Sequence, residues 1–151
     1  MNIEDLDILI ELAQADSDEA VRQLGDTMSK RSSAEERLAL LVRYREEYFA
    51  KFRESIKTGI HAEGWRNFQS FIGKLDRAIE QQREAVGSAH RDVTDSQAAV
   101  VREQRRLGSF DTLRDREVTK VEKRAAKREQ TATDEHAARA HHGRALASEE
   151  R

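Results

Sequence analysis

The residues of this chain that could do chemistry are few, and their spacing does not favour it. His136, His141 and His142 lie near the C-terminus. A helical metal pair needs ligands about one turn apart, and the position one turn after His136 is Ala140. No metal site is expected from this group. Asp and Glu total 29, but no pair stands out, and general acid–base work needs a cleft that shifts a pKa. The chain has no Gly-rich phosphate loop and no nucleophile elbow. Without Cys it has no thiol nucleophile, no Cys-ligated zinc and no disulfide framework. Neither enzymatic activity nor a cofactor is expected. Arg102-Glu103-Gln104-Arg105-Arg106 and Lys123-Arg124-Ala125-Ala126-Lys127-Arg128 could touch phosphates. Acids interleave them, and only Phe110 is near enough to stack on bases. A solvated face meeting a charged protein partner is favoured over nucleic acid.

The informative residues are aromatic. Seven of the eight fall between Tyr44 and Phe71, in a chain of 151 residues with no Pro. Charged and hydrophobic residues each make up 37%, against about 25% and 45–50% in ordinary globular domains. That is too little apolar material for a rounded core, and the absence of Pro favours uninterrupted helix. The acidic start Met1-Asn2-Ile3-Glu4-Asp5 is no secretory signal, and no apolar run is long enough to span a membrane. Net charge is −2, unevenly spread. Residues 1–30 hold eight acids and two bases, whereas residues 101–130 hold ten bases and six acids. Opposite signs at the two ends favour an arrangement that sets them side by side.

The positioning elements follow from the period. Steps of three and four from Ile3 give Ile3, Leu6, Ile10, Ala13 and so on to Leu41, Arg45, Tyr48 and Phe52. A second frame starts at Trp65 and runs through Phe68, Ile72, Leu75 and Ile79 to Val121 and Arg124. Most positions in both frames are apolar, which predicts coiled coil, and no sustained alternation predicts strands. The frames do not join. Between them, Gly59 can end the first helix in a left-handed conformation and Gly64 can loosen the start of the second. The expected fold is all-α: a long antiparallel two-helix coiled-coil hairpin with a frayed C-terminal extension. As a single domain it comprises arm one at about 3–56, a turn at about 57–64, arm two at about 65–124 and a polar tail at about 125–151. Equal rise per residue then sets residue i near residue 120 − i, with the acidic start beside a basic stretch.

Ser17, Thr27, Arg31, Ser96, Glu103, Arg114 and Glu117 fall on seam positions and weaken the seam toward its open end. They are either defects of a marginal coiled coil or the mark of an end that opens or inserts into a partner. The frames assign Tyr48, Phe52, Trp65 and Phe68 to a clamp at the bend. Phe71 and Ala78 sit one position before seam residues. They either broaden the packing against Tyr48, Phe49 and Phe52 or form the edge of an exposed docking face.

Tyr44-Arg45-Glu46-Glu47-Tyr48, Gly59-Ile60, and Trp65-Arg66-Asn67-Phe68-Gln69-Ser70-Phe71-Ile72-Gly73-Lys74-Leu75-Asp76-Arg77-Ala78-Ile79 with Gln82-Arg83 resemble the central motif of the flagellar export protein FliJ family. That family is related to YscO-type stalk proteins of type III secretion. The resemblance covers about forty residues well. It implies a non-enzymatic, cytoplasmic component of the flagellar type III export apparatus, peripheral at the inner-membrane flagellar base. Its paired arms would enter and stimulate a hexameric export ATPase; the weak seam and mixed charge of this chain suit a polar rather than apolar contact there. Its side would bind the cytoplasmic region of the export-gate membrane protein, and it would bind export chaperones. Membrane association would run only through partners, with no nucleic acid. The gate-binding stripe carried over by resemblance is Phe71, Leu75, Ala78 and Gln82, where Gln82 departs from the His common in relatives. The alternatives are a generic coiled-coil adaptor or secretion chaperone without ATPase contact, and a nucleic-acid-binding coiled coil.

Overall fold

The computed structural model describes residues 1–150 as two α-helices packed against each other, α1 (Ile3–Lys57) and α2 (Ala62–Glu149), with no strand among them. The fold is the expected helical hairpin. The joining segment, 58–61, is shorter than the sequence alone indicated. The start of α1 is capped: Asn2 Oδ1 accepts the Asp5 backbone N–H at 2.8 Å, and Glu4 and Asp5 lie in the first turn, where carboxylates meet the positive end of the helix dipole.

Residues Asp16–Gln104 form one compact unit, which contains the turn. Thr58 N–H and Gly59 N–H donate to the carbonyls of Ser55 and Ile56, and Gly59 has φ +94°. This left-handed residue ends α1, since a side chain there would be strained. Gly64 has a different role from the expected loosening. It sits inside α2, where an added Cβ would lie 2.9 Å from Ile60 Cγ1. Its lack of a side chain lets Ile60 fold back onto α2 and close the turn. Cross-helix partners in this unit have residue numbers that sum to between 115 and 125, close to the expected 120. Phe68, Leu75, Ile79 and Val93 from α2 and Ala20 from α1 form its buried apolar core.

Met1–Ala15 with the chain from Arg105 onward forms the other unit. Leu6 and Ala13 are almost fully buried there, with Ile3, Ile10, Leu107 and Phe110 half-buried. Arg114, at a seam position, donates from Nε to Asp7 Oδ1 at 2.5 Å. The polar seam residue is therefore answered across the helices by an acid of the N-terminal segment, as the charge asymmetry implied. That hydrogen bond, with the Asp7 charge, holds the Arg114 guanidinium pKa above its ordinary value.

All fifteen residues of the first frame, from Ile3 to Phe52, are buried or half-buried. The second frame is covered from Phe68 to Glu117, while Trp65, Val121 and Arg124 are exposed. Beyond Val118 every described residue is exposed, yet α2 continues to Glu149. The extension is thus a solvated helix rather than a frayed tail. Its composition explains this: Ala, Arg, Lys and Glu dominate, and all have high intrinsic helix propensity. Thr131 and Thr133 return their hydroxyls to the carbonyls one turn earlier, so they do not compete for other backbone groups.

Two outcomes follow. Leu75→Ala lowers unfolding free energy by about 2–3 kcal/mol in urea titration, because it empties a buried seam position. Removal of residues 125–151 reduces the helical circular-dichroism signal but moves Tm by no more than about 2 °C, because nothing packs on that segment.

Candidate functional site

The seam leaves two surfaces with chemistry to offer a partner. The first is a flank of the turn-containing unit. Phe68 is the hub of a ring cluster, meeting Tyr48, Phe49, Phe52 and Trp65; the Tyr48 centroid lies 5.5 Å from that of Phe68 and 4.3 Å from that of Phe71. Phe52 stacks on Phe68 at 3.7 Å with planes 11° apart, and Trp65 lies 5.5 Å from Phe52 and 6.1 Å from Phe68. The clamp residues Tyr48, Phe52, Trp65 and Phe68 are therefore brought together. Of the four, Phe68 is buried and Trp65 keeps 45% of its surface exposed.

The stripe Phe71, Leu75, Ala78 and Gln82 is not a uniformly open face. Leu75 is a core residue, 6% exposed. Phe71 and Ala78 are half-buried. Gln82 donates from Nε2 to the Ala34 carbonyl at 2.9 Å, tying α2 to α1. What remains open is the outer edge of Phe71 with Tyr44, which meets it edge-on at 6.1 Å and is 47% exposed. Leu40, one turn before Tyr44 on α1, is 59% exposed. Both were missed as surface residues. The available signal was position: both are apolar or aromatic, four apart, and lie off the first frame. Beside this edge, Arg45 Nε bonds Asp76 Oδ1 at 2.6 Å, and its guanidinium stands 4.7 Å over the Phe49 ring. Such a pair fixes the local orientation of the two helices more than it adds stability, since both side chains remain partly open to solvent.

The second surface is on the unit built from the N-terminal segment. Ile8 and Leu12 lie four residues apart on the face of α1 turned away from the seam and are 58% and 56% exposed. With Glu4, Asp5 and Glu11 nearby they make an apolar pair in an acidic field. The pair is a surface that the polar character expected of the arms did not include. It was legible as two aliphatic residues outside the 3.5-residue frame. Among the described residues no group of three or more His, Asp or Glu side chains has metal-binding geometry, and no helix is long and apolar enough to cross a membrane.

The family model described as "Flagellar FliJ protein" matches residues 1–146. The chain belongs to the FliJ family. It is 32% identical over 135 residues to the Flagellar FliJ protein of Salmonella typhi, covering 89% of this chain and 92% of that one. To the Flagellar FliJ protein of Escherichia coli K12 it is 30% identical over 132 residues, covering 87% and 90%. The FliJ match thus extends well beyond the central aromatic motif and takes in both arms.

Phe71→Ala is expected to cost about 1–2 kcal/mol in a thermal or urea melt, less than Leu75→Ala, because the ring is half-buried and meets two tyrosines. A loss as large as that of Leu75→Ala marks Phe71 as pure core and removes it from the docking edge.

Proposed function

We propose that this chain serves flagellar protein export as a stalk: a non-enzymatic helical hairpin that engages and stimulates a hexameric export ATPase. The observation that carries this is family membership over nearly the whole chain, including the segments that form the N-terminal unit. Its physical support is a helix pair with outward side chains that self-packing does not use. Ile8 and Leu12 would bury against the ring, and the solvated basic stretch at 120–128 would meet acidic groups there. Apolar contact supplies affinity. The sparse, charged surroundings keep that affinity low enough for a rod to shift between equivalent ring positions.

The flank formed by Phe71, Ala78 and Tyr44 is the proposed contact for the cytoplasmic region of the export-gate membrane protein. Leu75 and Gln82 act beneath it, holding the helix face in place. Export chaperones are the third proposed partner class, and the working location is the base of the flagellum at the inner membrane.

The test is turnover of the cognate flagellar export ATPase with and without the full chain. Wild type raises ATP hydrolysis. Ile8→Ser with Leu12→Ser reduces that stimulation at least about tenfold, the scale of losing two aliphatic contacts, with an unchanged melt because both side chains are exposed. Stimulation that survives deletion of residues 1–15 together with 120–151 overturns the reading and favours an adaptor without ATPase contact.

A further inference from the structure

The turn carries an apolar patch made of Ile56 and Ile60, which the seam does not use, and the outer part of Trp65, whose other side joins the ring clamp. Ile56 is 51% exposed, Ile60 39% and Trp65 45%. They are neighbours: Ile60 folds over Gly64, Trp65 follows it on α2 and rests against Phe52, and Ile56 is one turn after Phe52 on α1. Three large apolar side chains thus crown the convex end where α1 passes to α2. Around them residues 51–66 carry Lys51, Arg53, Lys57 and Arg66 against Glu54 and Glu63, a net +2 in a chain whose total is −2. Lys57 is paired with Glu54 at 3.1 Å, but Lys51, Arg53 and Arg66 have no carboxylate partner among the described residues.

We propose that this turn docks end-on onto an anionic lipid surface, with Ile56, Ile60 and Trp65 entering the headgroup–acyl boundary and the cations meeting lipid phosphates. Three features favour a bilayer over a protein groove. The patch is convex and small, so it needs a yielding surface rather than a matching pocket. It combines an indole with aliphatic side chains, a pairing suited to a boundary that is apolar on one side and wet on the other. Its charge has the sign that anionic leaflets attract, within a chain of opposite net charge. Neither signal alone anchors a protein, but an apolar insertion joined to a cationic collar does so reversibly. The contact is independent of the stalk reading, since it uses none of the residues assigned to the ATPase or the gate. It departs from the expectation that the membrane is reached only through partners.

Trp65 is the single tryptophan of the chain, so the tip reports on itself. The full-length protein is mixed with vesicles of phosphatidylcholine alone and with 40 mol% phosphatidylglycerol, the phospholipids carrying brominated acyl chains in a parallel set. The expected result is co-flotation with the anionic vesicles, a blue shift of Trp65 emission, quenching by the brominated chains, and weaker binding as salt is raised. Ile56→Ser leaves in place the Ile60 contact that closes the turn, so it keeps the reporter and the melt but lowers partitioning about threefold, on the scale of one half-exposed aliphatic side chain. Absence of flotation with anionic vesicles overturns the proposal. So does flotation with unshifted, unquenched Trp65 emission, which would place lipid contact on the basic helix at 120–128. Capture of the tip by a protein while vesicles leave Trp65 unchanged likewise overturns it.

Discussion

Phe52 stacked on Phe68, with Tyr48 and Trp65 closing around them, sets the relation between α1 and α2 on which the other contacts depend. A two-helix hairpin has one seam and no third element to correct a slip. Sliding one helix by a single residue would turn every seam side chain off the facing helix, since coverage repeats only every three or four positions. The ring cluster and the left-handed Gly59 fix that relation near the turn, where the loop-closure cost is least. With it fixed, Gln82 reaches the Ala34 carbonyl and Arg45 reaches Asp76. In the N-terminal unit the corresponding role falls to Leu6 and Ala13, with Arg114 and Asp7 as a charge-matched pair.

The seam is a compromise between holding together and remaining available. Its buried members include Ala13, Ser17 and Ala20, small side chains that bring the helices close but remove little surface from water. Within the turn-containing unit the large buried side chains Phe68, Leu75 and Ile79 lie toward the turn. Cohesion is therefore strongest where the rings are and weaker where Ser17, Thr27 and Arg31 occupy core positions. Regions with few buried apolar contacts open at lower free-energy cost than the global fold.

Much of this was legible in the sequence because a coiled coil is the most regular of folds. Each of the fifteen positions counted from Ile3 is sheltered, and the frame from Phe68 to Glu117 is sheltered without exception. Arg114 and Asp7 could be paired from the charge asymmetry and the turn. Three things were not legible. The role of Gly64 depends on Ile60 folding back over it, a contact that no period encodes. The helicity of the extension depends on propensity, which has no stripe to announce it. Phe71 was ambiguous because a flank position adjoins both the seam and the solvent, and only the placement of Tyr44 and Tyr48 decides how much of the ring each claims.

The uncovered apolar residues then acquire a common explanation. In a globular domain, a large aliphatic side chain off one interface can be buried by another element, so its position carries little information. Here the described chain has only two helices, so large apolar residues off the 3.5-residue frame are half-buried at the flanks, as Phe49 and Phe71 are, or stay in water, as Ile8, Leu12 and Leu40 do. Single exposed apolar residues are ordinary. Neighbouring ones on a chain this charged are not, because the sequence had polar residues to place there. Ile8 with Leu12, Tyr44 at the outer edge of the half-buried Phe71, and Ile56 with Ile60 beside Trp65, the exposed first position of the second frame, are three such groups. The free energy that a compact domain would place in its own core is left here for those contacts.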